Sequence, residues 1–232
     1  MAIPLYLAKT AAEFSLSKEH PPNLAWMACH FSPYGTGLTN LPSQLPEKTL
    51  LILNDRTPVH GHDPIRIKET MEEIILDQNC SGVLLDLQRP NCPETTEIVK
   101  ALLSLPCPVC VSDLYAKEVD SPVFLPPVPL LSTLEDHLAL WQNREIWLEA
   151  SMQCAAFTVK ETGCIYSASQ REGDFRFCDE RLHCHYRIDV KNDSAIFSIN
   201  RSMADLTGLL ENAGRMGVTK AIGLWQELKD SR

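Results

Sequence analysis

The chain has 232 residues and a mass of 26.0 kDa, enough for one large domain or two small ones and for a full-sized core. An apolar share of 44% and a charged share of 22% exclude a disordered or fibrous chain. Twenty-one Lys and Arg against 30 Asp and Glu give a net charge of −9, and no basic cluster offsets it locally, so nucleic acid is not an expected partner.

Residues 1–17 lack both a basic start and an unbroken apolar stretch, and no apolar run is long enough to span a bilayer. The expectation is a cytoplasmic protein with no membrane partner. Nine Cys without an export signal then read as reduced, mostly buried thiols. Cys107-Pro108-Val109-Cys110 opens an apparent strand, whereas a reactive pair normally opens a helix. In His183-Cys184-His185 the alternation of a strand turns Cys184 away from both histidines, so no metal site is expected there.

Nearly continuous apolar runs over 23–30, 49–55, 82–88 and 108–114 read as strands covered on both faces, the mark of a parallel sheet. Asp63-Pro64 starts a helix between the second and third, with Ile67, Met71, Ile74 and Ile75 on one face. Ile98, Val99, Leu102 and Leu103 form the apolar face of the next helix, which must stop near Pro106. A strand over 123–130 leads to Ser132-x-x-Glu135, read as a capping box for a helix carrying Leu134, Leu138 and Trp141. Residues 144–149 make a sixth strand.

From about 151 to 193 the rhythm changes to hairpin-like segments around Lys160-Glu161-Thr162-Gly163 and Lys191-Asn192-Asp193, read as an insertion within a single domain of residues 1–232. A seventh strand over 195–200 follows, then a helix capped by Ser202-x-x-Asp205 and ended by Gly217, and an eighth strand over 220–225. Eight strands in β-then-α order predict an α/β fold, a compact (β/α)8 barrel with the insertion before strand 7. Only about eight residues join strands 4 and 5, too few for a full crossover, so that outer helix must be reduced. A doubly wound open sheet is the alternative topology, but no Gly-rich nucleotide loop follows any strand, and no cofactor is expected.

In a parallel barrel the chemistry sits at the C-terminal strand ends. The candidates there are His30, Asp55, Asp86 with Gln88, Asp113 with Tyr115, Glu149, Asn200, and Trp225 with Gln226. Each Asp pair, being two residues apart on a strand, can point into the mouth together. A strand-end carboxylate can orient a substrate or transfer a proton, or it can cap the following loop through backbone N–H groups. Trp225 can floor a ligand site or fill the core, and His30 reads first as a hydrogen-bonded core residue.

The third predicted strand, Ser81-Gly82-Val83-Leu84-Leu85-Asp86-Leu87-Gln88, resembles the D-G-x-D-x-D-x-E motif of glycoside hydrolase family 18, the chitinase-like (β/α)8 barrels. Gly82 and Asp86 match, Ser81 and Leu84 replace the two earlier Asp, and Gln88 stands where the family has its catalytic Glu. A hairpin followed by Asp193-Ser194, the helix from Met203, and Gly217 to Trp225 are similar to the family's C-terminal part. The resemblance implies substrate-assisted cleavage, in which the Glu protonates the glycosidic oxygen and the neighbouring Asp holds the acetamido group, with the last Trp flooring the sugar site. Gln88 has no proton to give, so the resemblance implies a saccharide-binding or vestigial protein using Asp86, Gln88, Tyr115 and Trp225 on a small saccharide. Two alternatives stay open: a hydrolase drawing its acid from Asp55, Asp113 or Glu149, and a divalent-metal enzyme built on Asp55, Asp86 and Asp113. The oligomeric state is not readable.

Overall fold

A computed structural model describes residues 3–16, 19–90, 92–160, 163–167, 173–191 and 194–229. In chain order the elements are β1 (Leu5–Lys9), α1 (Ala11–Leu16), β2 (Leu24–Phe31), β3 (Leu38–Thr39), β4 (Leu50–Asn54), α2 (Pro64–Gln78), β5 (Gly82–Asp86) and α3 (Pro93–Leu102). There follow β6 (Val109–Ser112), α4 (Asp113–Ala116), β7 (Val123–Leu125), α5 (Leu134–Leu138) and β8 (Ile146–Ala150). Then come β9 (Cys154–Lys160), β10 (Gly163–Ser167), β11 (Phe177–Asp179), β12 (Cys184–Lys191), β13 (Ser194–Asn200), α6 (Met203–Arg215), β14 (Val218–Leu224) and α7 (Trp225–Leu228).

Strands β1, β2, β4, β5, β6, β7, β8 and β14 are paired in parallel, and β1 joins both β14 and β2, so the eight strands close into a barrel. The alternation of each strand builds two cores. Ile52, Leu84, Cys110, Phe124, Trp147 and Ile222 fill the interior, while Leu53, Leu85, Val111 and Leu148 face outward to the helices. Helix α2 starts as its sequence dictates, with Asp63 accepting the Ile65 N–H at 2.9 Å ahead of Pro64, and buries Ile67, Met71 and Ile75. Gly223 has a steric reason. A Cβ there would lie 2.7 Å from the Ala150 carbonyl oxygen, where β14 and β8 run close beneath α7.

Three expectations change. The predicted seventh barrel strand, 195–200, is β13, the middle of a separate antiparallel sheet ordered β10-β9-β13-β12-β11. Its apolar run hides an alternation broken at Ile196, with Ala195, Phe197 and Ile199 on one face and Ile196, Ser198 and Asn200 on the other, which fits an antiparallel strand. The missing barrel strand is β1, so the insertion follows the seventh barrel strand in chain order, β8. Helix α5 is capped by Thr133, whose hydroxyl accepts the Asp136 N–H at 3.2 Å, one residue later than the predicted Ser132 box. The reduced helix between β6 and β7 is the four-residue α4. Both hairpins of the insertion form, β9 with β10 and β12 with β13, although Glu161, Thr162, Asn192 and Asp193 at their tips lie outside the described residues.

The junction between barrel and inserted sheet is a third apolar cluster, Leu130, Ala155, Cys184 and Ile199. Arg201, 1% exposed, locks it by donating to the carbonyls of His183 (3.1 Å), Leu182 (2.9 Å) and Val128. Among the described residues no helix is long and apolar enough to cross a membrane.

Candidate functional site

At the C-terminal end of the barrel the interior opens into a cleft of about 330 Å³, floored by Ala8, Ile52, Leu84, Phe124 and Ile222 and rimmed by Asp86, Gln88 and Glu149. It continues outward past Met27 into a space of about 500 Å³ bordered by Asn54, Asp55, Arg56 and Arg89. The inward positions of three strands supply the polar rim, each stacked on an inward apolar residue: Asn54 beyond Ile52, Asp86 beyond Leu84, and Glu149 beyond Trp147.

Asp86 and Gln88 meet as the sequence predicts: the Gln88 carboxamide donates from Nε2 to Asp86 Oδ1 at 2.5 Å. Burial pushes the Asp86 carboxyl above the ordinary range, the Gln88 hydrogen bond opposes this, and the charge of Asp55 adds to it. Glu149 is also held above its ordinary value, first by burial and then by the charges of Asp86 and Glu227. Glu227 accepts the Ser151 hydroxyl at 3.2 Å on either oxygen.

The backbone carrying Gln88 is pinned from three sides. Asp55, 4% exposed, accepts the N–H groups of Gln88 (3.0 Å) and Arg89 (2.8 Å), so both its oxygens are engaged in holding the loop. The Arg89 guanidinium returns to the carbonyls of Asp55 (2.8 Å) and Arg56 (3.0 Å). Ser112 Oγ donates to the Leu87 carbonyl at 2.7 Å, and Tyr115 OH donates to that of Arg89 at 3.0 Å.

The other predicted residues stand elsewhere. The strand of Asp113 and Tyr115 ends at Ser112, so the two do not share a strand face: Asp113 opens α4 outside the cleft lining, and Tyr115 is buried beneath the loop. Trp225 is not on the last strand but opens α7, packs against the outer core, and carries the Lys9 ammonium 4.0 Å from its ring centroid. Gln226 is exposed on the same helix. Asn200 ends β13 in the inserted sheet, beside His185 and Cys154, and does not line the cleft. His30 lies near the end of β2 with Nδ1 2.9 Å from the Ala28 carbonyl, and it does not line the cleft.

The metal trio does not converge. Asp55 is committed to backbone amides and Asp86 to Gln88, Asp113 is on α4, and among the described residues no group of three or more His, Cys, Asp or Glu is placed to hold an ion. Cys110 is sealed in the barrel interior while Cys107 packs on the outer core, which separates the C-x-x-C pair. Cys184 is buried at the junction, turned away from its two histidine neighbours as expected: His185 Nδ1 lies 2.9 Å from Asp205, and His183 Nε2 lies 2.8 Å from the Asn212 amide. The sequence reading missed Arg89 and Ser112, of which only Arg89 carried a signal, its place beside Gln88. It also missed Glu227 and Phe124, which long-range packing alone brings near the cleft.

No sequence-family model matches the chain, and no curated protein matches it by sequence. Solved structures do. The spore cortex-lytic enzyme SleL of Bacillus cereus aligns over 95% of this chain and 70% of its own at 8% identity, with a TM-score of 0.58. A chitinase from Chromobacterium violaceum aligns over 95% and 93% at 8% identity, TM-score 0.53, and the chitinase-like agglutinin of Robinia pseudoacacia over 94% and 93% at 12% identity, TM-score 0.55. These likenesses and the closed eight-stranded barrel show that the chain has the fold of the chitinase-like (β/α)8 barrels of glycoside hydrolase family 18.

Proposed function

We propose that this protein is a chitinase-like barrel that binds a small saccharide in the cleft of Asp86, Gln88 and Glu149 without the family's proton donor. The observation that carries the reading is the Gln88 carboxamide, hydrogen-bonded to Asp86 where the resemblance has a catalytic Glu. A carboxamide donates hydrogen bonds but no proton at neutral pH, so the glycosidic oxygen would be held and not protonated. The cleft offers what a sugar ring needs for binding: an apolar floor for its C–H face, and carboxylate and amide oxygens for its hydroxyls. By their names, the structural neighbours include lytic enzymes and an agglutinin, so the fold serves cleavage in some proteins and carries a binding name in another.

The direct test is hydrolysis of chitobiose- and chitotriose-type reporters by wild type and Gln88→Glu. The expected result is silence in wild type and turnover in Gln88→Glu, and turnover in wild type that survives Gln88→Ala would overturn the reading.

One observation favours a second reading, an active hydrolase. Glu149 lines the same cleft and its carboxyl is held above the ordinary range by burial and by neighbouring carboxylates, the condition of a general acid. Under this reading wild-type turnover is lost in Glu149→Gln. Asp55 and Asp113 lack that support, the first being engaged with two amides and the second lying outside the cleft lining.

A further inference from the structure

The inserted sheet has two unlike faces. Across β10, β9, β13 and β12 its register aligns Tyr166, Phe157, Phe197 and Ile188 in one row. Two residues farther from the barrel, Cys164, Val159, Ala195 and Val190 make the next row on the same face. Nearest the barrel the same face carries Ala155, Ile199, Tyr186 and Phe177. None of these positions holds a charge. On the opposite face the corresponding rows hold Arg187, Asp189, Ser198 and Thr158 among Ala156, Ile165 and Ile196, so that face is mixed and charged.

An antiparallel sheet with one wholly apolar face covers that face with something. The barrel covers the nearest row, where Ala155 and Ile199 pack with Leu130, and reaches the next at Phe157, which with Tyr166 lines a cavity of about 700 Å³ shared with Pro127, Leu131 and Met152. Beyond it the face is open: Val190 is 80% exposed, Tyr166 66%, Val159 41% and Ile188 40%, with Phe177 at 49% on the edge strand. Together these side chains leave on the order of 500 Å² of contiguous apolar surface, at the upper end of what a monomer exposes.

We infer that this face is a self-association surface, covered by the same face of a second copy of the chain. A two-fold contact requires only that one patch complement itself, and an uncharged row of aromatic and β-branched side chains does so by interdigitation, with the two sheets about 10 Å apart as in a sandwich. The pair would bury about 1,000 Å² in total, the lower bound of a specific interface, so the dimer is weak and concentration-dependent. It continues the junction core outward and buries no charge. Each copy carries −9, so the two bodies repel at low ionic strength, and salt that screens charges beyond roughly 10 Å strengthens the dimer.

Sedimentation velocity over a concentration series at low and moderate salt tests this on wild type, Tyr166→Lys, Val190→Glu and Leu140→Lys. Leu140, 86% exposed on the barrel after α5, controls for general stickiness. The expected result is reversible dimerisation of wild type and of Leu140→Lys, strengthened by salt, and weakened about tenfold or more by either sheet variant, because a charge facing the partner's apolar row is left unpaired. Circular dichroism checks that each variant is folded, and the two sheet variants sit on different strands, so loss of fold in one leaves the other informative. A wild type monomeric at every concentration, or a dimer indifferent to both sheet variants, overturns the inference.

Discussion

The barrel mouth and the junction with the inserted sheet treat their polar groups in opposite ways. At the junction Arg201 donates to three carbonyls, and Asp205 accepts the Ser202 N–H (2.9 Å) and hydroxyl (2.7 Å) while pairing with His185. At the mouth the Asp86 and Glu149 carboxyls are raised by burial and by like-charged neighbours. A satisfied network of this kind holds parts together, whereas carboxyls kept unfavourably in a cleft mark a place where a ligand can supply the missing donors. The Asp55 brace belongs to the first kind although it adjoins the second, which separates the residues that fix Gln88 from those that face the ligand.

Removing Arg201 should sharpen that contrast most. Arg201→Ala leaves the carbonyls of Val128, Leu182 and His183 without their donor and should cost about 3 kcal/mol or more in urea denaturation, while leaving reporter binding at the cleft intact in the protein that remains folded. Asp55→Ala comes next. It frees the N–H groups of Gln88 and Arg89, at about 2 kcal/mol, and hydrogen exchange should accelerate at those two amides before it does in β5.

The two regions should also respond to pH with opposite sign. Burial opposes ionisation of Asp205, but hydrogen bonds from the Ser202 side chain and backbone and from His185 outweigh it and hold the carboxyl below its ordinary value. Its stabilisation is therefore present above the unfolded value, near about 4, and is lost as pH falls through the folded value. Asp86 and Glu149 are raised, so the folded state is favoured in acid and loses that advantage as pH rises through their folded values. Thermal denaturation near neutral pH should find Asp205→Asn destabilised by about 1 kcal/mol and Asp86→Asn or Glu149→Gln unchanged or stabilised, with the differences shrinking in acid. A loss of stability in both cleft variants at neutral pH would break the comparison. Tyr115→Phe, which removes one hydrogen bond to the Arg89 carbonyl, should cost about 1 kcal/mol by denaturation, comparable to Asp205→Asn.

Most of the barrel was legible because a strand covered on both faces leaves a continuous apolar run, as in Leu50–Asn54 and Gly82–Asp86. The helix starts at Asp63 and Ser202 were equally plain, since a cap is a local device. Strand β1 was missed because Leu5–Lys9 ends in Lys9, a charged residue buried by long-range packing that no local pattern reports. Strand β13 was misplaced because Ala195 to Asn200 is apolar enough to pass for a barrel strand unless its period of two is weighed above its apolar content. In the site, Asp86, Gln88 and Glu149 came directly from strand-end position. Tyr115 and Trp225 did not, because the expected strands ran two residues past Ser112 and one past Leu224, and the chain turns helical at Asp113 and at Trp225.

The central claim is that the cleft binds a saccharide and leaves it whole. Calorimetric titration of N-acetylglucosamine oligomers into wild type and Asp86→Ala, followed by mass analysis of the recovered oligomer, tests it most directly. The account predicts heat of binding in wild type, its loss in Asp86→Ala, and an oligomer of unchanged length. No binding to wild type, or recovery of shortened oligomer from it, would contradict the account.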